Sequence, residues 1–234
     1  MQIAAVVPAY NESTRIGNVL KVLHSIDRLS EIIVVDDGST DNTLAEVPRN
    51  NGVRALRFEQ NRGKGAALFA GARLSQSDIL LFLDADLVGL TAGHVEALLA
   101  PVIEREADMS VASFRGGRWR TDWAQKLVPC ISGQRVLHKE FLFSLANLDH
   151  SRYSIETALT LEARLRGARV KKVFWEGVTH VMKEEKLGWT RGMWERAKMY
   201  WEIGSYVLDL SRDGHTTSPP SPSNDSQTEK ACEE

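Results

Sequence analysis

Five consecutive apolar residues, Ile79, Leu80, Leu81, Phe82 and Leu83, constrain this chain more than any other feature. A strand with no polar position on either side must be covered on both faces, which is the situation of a strand inside a parallel sheet flanked by helices. The surrounding residues repeat the theme. Residues 3–7 form an apolar run, Ile16, Val19, Leu20 and Leu23 follow at helical spacing, and residues 32–35 form a second run, so this stretch reads as a βαβ unit. Residues 53–58 and 109–114 supply further strands. Residues 65–74, rich in Ala and Gly, suit a helix lying close on the sheet, and Val95, Leu98, Leu99, Val102 and Ile103 mark an amphipathic helix whose start is signalled by Thr91. Residues 155–166 carry Ile155, Ala158, Leu159, Leu161 and Leu165 at helical spacing, stop at Gly167 and give way to a strand over 170–175.

At 234 residues the chain has enough material for one substantial core. Its 29 Lys and Arg against 31 Asp and Glu leave a net charge of -2, which provides no global electrostatic footprint for nucleic acid. Two cysteines, Cys130 and Cys232, cannot build a disulfide framework, and no apolar stretch approaches the ~20 residues needed to span a bilayer. With no basic-then-apolar leader at Met1, the expected location is the cytosol. From 115 to 130 the pattern breaks into Gly, Arg, Trp and polar residues, as expected of a loop over the sheet. A last helix carries Trp194, Tyr200, Trp201 and Val207 on one stripe, and residues 211–234 are expected to be disordered.

Ligands of an open α/β sheet bind beyond the carboxyl ends of its strands, and four such ends are polar here. They read Pro8-Ala9-Tyr10-Asn11-Glu12, Asp36-Asp37-Gly38-Ser39, Asn61-Arg62-Gly63-Lys64-Gly65 and Asp84-Ala85-Asp86. In an extended chain residues two apart share a side, so Asp84 and Asp86 can both face one cation, and carboxylate oxygens suit Mg2+ or Mn2+. Asp36 and Asp37 admit two readings: a turn with Ser39, Thr40 or Asp41 capping a helix through Thr43, or acceptors for a nucleobase imide and a ribose hydroxyl. The Gly63-Lys64-Gly65 segment lacks the first Gly and the Ser/Thr of a Walker A loop, yet a helix start bearing a lysine can help hold a diphosphate. Arg115, Arg118, Arg120 and Arg135, set among Gly116, Gly117 and Gly133, are either solvated charge or a pocket for a second anion. His180, just past the last strand, is either structural or the completing member of a metal shell.

Taken together these motifs, with Ser132-Gly133-Gln134-Arg135 and Ile155-Glu156, resemble the family 2 nucleotide-sugar glycosyltransferases over roughly residues 1–205. Within that family the chain looks closest to the dolichol- or polyprenyl-phosphate branch and the glucosyl-3-phosphoglycerate synthase branch. The resemblance implies a three-layer α/β/α GT-A fold with a mostly parallel central sheet. It implies a single domain over 1–210, with residues 1–114 binding the nucleotide-sugar and 115–210 forming the acceptor side. It also implies that Pro8, Ala9, Tyr10, Glu12, Asp36 and Asp37 surround the base and ribose of a UDP- or GDP-sugar, with Lys64 nearby. Asp84 and Asp86 match the metal-binding Asp-x-Asp motif around Ala85, and His180 matches a completing ligand for Mg2+ or Mn2+. Arg115 and Arg135, with Gly133 and Gln134 beside the latter, match positions facing donor or acceptor phosphates. Glu156 matches the acidic residue that starts the acceptor-side helix, so Asp86, Glu156 and Arg135 are the candidate catalytic residues.

No Gln-x-x-Arg-Trp motif follows, which argues against a processive polysaccharide synthase. Two further classes compete. A nucleotidyltransferase would carry a Gly-rich, basic loop where this chain has Pro8-Ala9-Tyr10, and a nucleotide-binding module would bind without turnover. The carboxyl-terminal helix, with Trp189, Trp194, Tyr200 and Trp201, either meets a lipid interface at the inner membrane face and reaches a lipid-phosphate acceptor, or packs on the domain or in a homodimer.

Overall fold

The computed structural model describes residues 1–48, 52–115, 132–144 and 155–180. Each apolar run becomes a strand: β1 (Ile3–Ala9), β2 (Glu31–Asp36), β3 (Val53–Arg57), β4 (Ile79–Phe82), β6 (Met109–Arg115) and β8 (Val170–Glu176). Three more strands, β5 (Leu87–Val88), β7 (Arg135–His138) and β9 (Thr179–His180), were not expected from the pattern. The main sheet runs in the order β3-β2-β1-β4-β7-β6-β8, while β5 and β9 pair separately. Only β7 runs against its neighbours β4 and β6; the other six strands of the main sheet are parallel.

Helices α1 (Ile16–His24), α2 (Lys64–Leu74), α3 (Ala92–Ile103), α4 (Lys139–Ser144) and α5 (Ile155–Leu165) cover the sheet. Because successive strand residues face opposite ways, the core divides in two. On one face Ala5, Val7, Ile32, Val34, Leu81 and Leu83 pack under α1 and α3; on the other Ala4, Val6, Ile33, Val35, Leu80 and Phe82 pack under α2, α4 and α5. The three layers expected above are therefore present. The Ala- and Gly-rich composition of α2 has a direct cause: a Cβ on Gly71 would overlap the Val6 side chain and come within 3.2 Å of Val35, so the helix lies on β1 and β2 with no room for a larger residue. At the start of α3, Thr91 Oγ1 accepts from the His94 amide while His94 Nδ1 accepts from the Thr91 amide, a reciprocal cap that bears out the Thr91 signal.

No helix among the described residues is long and apolar enough to cross a membrane. The 116–131 segment with Arg118, Arg120 and Cys130, the stretch with Trp189, Trp194, Tyr200 and Trp201 where a helix is expected, and the tail with Cys232 lie outside the described residues.

Candidate active site

The chain passes outward from β1 through β2 to β3 and then returns to place β4 on the other side of β1. Such a reversal opens a crevice beyond the carboxyl ends of β1 and β4, and the polar strand ends collect there.

At β1, Pro8 and Ala9 are buried and Tyr10 is exposed. Asn11 takes a left-handed backbone conformation, φ 57°, one that an asparagine tolerates better than most residues. Its amide donates to Ser39 Oγ at 3.0 Å and its side-chain oxygen accepts from the Thr40 amide at 2.9 Å, so the ends of β1 and β2 are laced together. Glu12 follows, its amide donating to Thr43 Oγ1 at 2.8 Å and its carboxylate pairing with Arg15 at 2.8 Å.

The two acids at the end of β2, Asp36 within the strand and Asp37 just beyond it, are buried. Asp36 Oδ1 accepts from the Ser39 amide at 2.9 Å, a turn contact, but the short 3-10 turn over Thr43–Glu46 has Asn42 at its N-cap rather than Ser39, Thr40 or Asp41. Asp36 Oδ2 accepts no hydrogen bond among the described residues and lies 3.6 Å from Arg57 Nε. Asp37 reaches across to the loop before α2 and accepts from the amides of Arg62 at 2.7 Å and Gly63 at 2.9 Å. Asp37 thereby sets where α2, and with it Lys64, begins. Downstream, Thr43 starts a short 3-10 turn over Thr43–Glu46. Partial burial raises the carboxyl of Asp41, but donors from Thr43 and Ser13 outweigh it and bring it down to about 2.

Past β4 the extended chain stops sooner than the alternation argument assumes. The strand ends at Phe82, and Ala85 and Asp86 lie in a turn leading to β5. Burial still alternates: Ala85 is in the core and the flanking Asp84 and Asp86 are half-buried. Asp84 is the hub. Lys64 Nζ lies 2.5 Å from Asp84 Oδ1 and 2.6 Å from Glu156 Oε1, so one ammonium joins the acid after β4 to the acid at the start of α5. Burial pulls that ammonium down, but the charges of Asp84 and Glu156 outweigh it and hold its proton above the ordinary lysine range. On the other oxygen, Gln134 Nε2 donates to Asp84 Oδ2 at 2.8 Å, and Ser132 Oγ donates to Gln134 Oε1 at 2.7 Å, fixing the amide. Gly133 lies against the pair: a Cβ there would stand 2.9 Å from both Asp84 oxygens and overlap Lys64 Nζ.

Arg135 has a different posture from the solvated or pocket-lining arginine read from the sequence. It is 1% exposed, the first residue of β7, and its guanidinium donates to the carbonyls of Glu156 at 3.1 Å and Ser132 at 2.5 Å. An interior strand under the start of α5 leaves it no route to solvent, so it ties the Gly133-Gln134 segment to the Glu156 segment from beneath. Arg115 ends β6, its backbone in register with Glu176 of β8. The backbone of His180 pairs with Leu87, one residue beyond Asp86.

Among the described residues no three His, Cys, Asp or Glu side chains cluster as a ready metal site. The donor chemistry nevertheless fits a hard cation, since Asp84 and Asp86 are half-buried carboxylates two residues apart and such ions take their remaining ligands from water and phosphate. Sequence reasoning assigned no role to Ser132 or Asn11. An asparagine just after a buried strand is a signal for the left-handed turn; the Ser132 contact carries no sequence signal.

Comparison with known proteins supplies the frame for this geometry. The family model described as Glycosyl transferase family 2 matches residues 4–153. A dolichyl-phosphate beta-glucosyltransferase of Trichomonas vaginalis is 43% identical over 95 residues, covering 35% of this chain and 28% of that protein. Glucosyl-3-phosphoglycerate synthase of Mycobacterium tuberculosis is 34% identical over 121 residues, 48% of this chain and 37% of that protein. The chain thus spans less than half the length of either relative. A solved structure of the M. tuberculosis synthase with Mn2+, UDP-glucose and phosphoglyceric acid superposes with a TM-score of 0.67 at 26% identity, covering 87% of this chain and 80% of that one. The mostly parallel, helix-flanked sheet is the GT-A fold.

Proposed function

The chain belongs to glycosyl transferase family 2, and we propose that it transfers a sugar from a UDP- or GDP-sugar to a phosphate-bearing acceptor with the help of Mg2+ or Mn2+. The observation that carries this reading is the Asp84 hub, where a lysine, a buried amide and a second acid meet at the carboxyl end of β4 beside the β1 crevice. The M. tuberculosis synthase, a structural neighbour, was solved with a divalent ion and UDP-glucose, which supports the donor class.

Asp84 and Asp86, with His180, would hold the ion, whose charge offsets that of the departing nucleoside diphosphate. Lys64 adds positive charge at the same place, so negative charge growing on the leaving group meets donors already in position. Pro8, Ala9, Tyr10, Glu12, Asp36 and Asp37 form the base and ribose end, with the buried Asp36 Oδ2 beside Arg57 Nε at 3.6 Å beneath it. Arg115, at the end of β6, would meet the phosphates, as the family resemblance implies. Gly133 leaves room for the Lys64–Asp84 pair and Gln134 orients Asp84, while Arg135 is a positioning residue beneath both. Glu156 takes the proton of a hydroxyl acceptor; an acceptor that arrives as an ionised phosphate needs no base. The relatives named above supply both acceptor types, a phosphoglycerate and a dolichyl phosphate.

A panel of UDP- and GDP-sugars with Mn2+, offered 3-phosphoglycerate in one arm and a polyprenyl phosphate in liposomes in the other, tests the proposal. The expected result is EDTA-sensitive release of nucleoside diphosphate and a glycosylated product in one arm. Tight nucleotide binding without release or transfer in any arm would identify a binding module instead.

A further inference from the structure

We infer that Lys64 is the resident counter-ion of Asp84, and that a divalent cation enters fully only when the donor diphosphate draws Lys64 away, so that cation and nucleotide bind as a coupled pair. The inference rests on the donor-site reading above and adds to it the order in which the site is assembled.

Asp84 has two oxygens, and they are held differently. Oδ2 is hydrogen-bonded to Gln134, a fully buried amide itself clamped by Ser132, so that side is fixed. Oδ1 is taken by an ammonium on a flexible four-carbon stem at the half-buried start of α2, with side-chain exposure of 37%. The same ammonium already has a second anion, Glu156 Oε1 at 2.6 Å, toward which it can swing. The oxygen on which a cation can most readily be exchanged is therefore one that already carries a positive charge. A divalent ion arriving alone meets that ammonium at close range, where like charges repel strongly in a partly buried site. A nucleoside diphosphate changes the balance by giving Lys64 a new anionic partner and the ion its missing oxygen ligands. Each ligand then favours the other by the same factor, as linkage requires.

Removing the lysine charge separates this from a merely structural ion pair. In Lys64→Met, Asp84 and Glu156 are left without their shared counter-ion, so Mn2+ alone is expected to bind about tenfold more tightly than to the wild type, within the usual range of such couplings. The factor by which UDP tightens Mn2+ binding is expected to fall at least as much. Lys64→Arg, which keeps the charge, should retain the wild-type behaviour, and Lys64→Gln carries the same test should the methionine variant fail to fold. Titration of Mn2+ into the full chain, followed by the electron paramagnetic resonance signal of the free ion with and without saturating UDP, reads both quantities independently of turnover. Tighter Mn2+ binding in the uncharged variant with reduced UDP coupling supports the inference. Equal or weaker binding of Mn2+ alone by a folded uncharged variant, with UDP still tightening both proteins, overturns it and leaves the donor site standing. Absence of Mn2+ binding to either protein even with UDP overturns the donor-site reading and this inference together.

Discussion

The ends of β2 and β4 both deliver acids to one crevice, but they hold them by different means. After β2, Asp36 and Asp37 are anchored by backbone amides, those of Ser39, Arg62 and Gly63. After β4, Asp84 is anchored by side chains, the ammonium of Lys64 and the amide of Gln134. Backbone amides cannot leave without rearranging the loop that carries them, so Asp37 works as framework. A lysine can leave by rotating its own bonds, so Asp84 keeps an oxygen available for exchange. Two similar strand ends thus divide into a rigid one, where the nucleotide is proposed to lie, and one held by side chains, where charge is proposed to exchange.

The largest effect that would break this contrast is kinetic. Asp84→Ala is expected to lower transfer by about three orders of magnitude, corresponding to the several kcal/mol a bound cation contributes to such a barrier, while the unfolding midpoint moves by only a few degrees. Steady-state rates beside a thermal melt check it. Asp37→Ala should do the reverse, losing stability first: two amides of the loop before α2 lose their acceptor, at a cost of about 2–4 kcal/mol in chemical denaturation. Gly133→Ala sharpens the comparison, because the added methyl has no space against Lys64 Nζ and the Asp84 carboxylate. It is expected to cost about 1–3 kcal/mol and to weaken Mn2+ binding, measurable by denaturation and calorimetry on the same protein. The smallest effect belongs to Asp41, an exposed acid whose folded-state carboxyl lies at about 2, below its ordinary value. A lowered pKa stabilises the fold above the unfolded value near 4 and the contribution is lost as pH falls toward 2. Asp41→Asn should remove this acid-sensitive component, less than about 1 kcal/mol, from a series of denaturation curves between pH 5 and 2.

Much of the framework was legible because it rests on uniform apolar runs. Ile79 to Phe82 has one physical solution, a strand covered on both faces, and it was found. The antiparallel β7 was not, since a four-residue strand that opens on an arginine resembles a polar loop, and its burial follows from the sheet order rather than from its own residues. The same cause hid the posture of Arg135. Motif residues could be assigned to strand ends, yet their partnerships could not: Lys64, Asp84 and Glu156 are separated by 92 residues from first to last, and nothing in a sequence pairs distant charges. Asp37 was ambiguous for a related reason, because its partners are backbone amides, which every residue but proline possesses.

The central claim is that Asp84 and Asp86 together grip a divalent cation against the donor diphosphate. Calorimetric titration of UDP into the wild type and into Asp86→Ala, each with saturating Mn2+ and again with EDTA, tests it most directly. The expected result is Mn2+-dependent UDP binding by the wild type that is lost in folded Asp86→Ala. UDP binding of equal strength in both proteins, unchanged by EDTA, would contradict it.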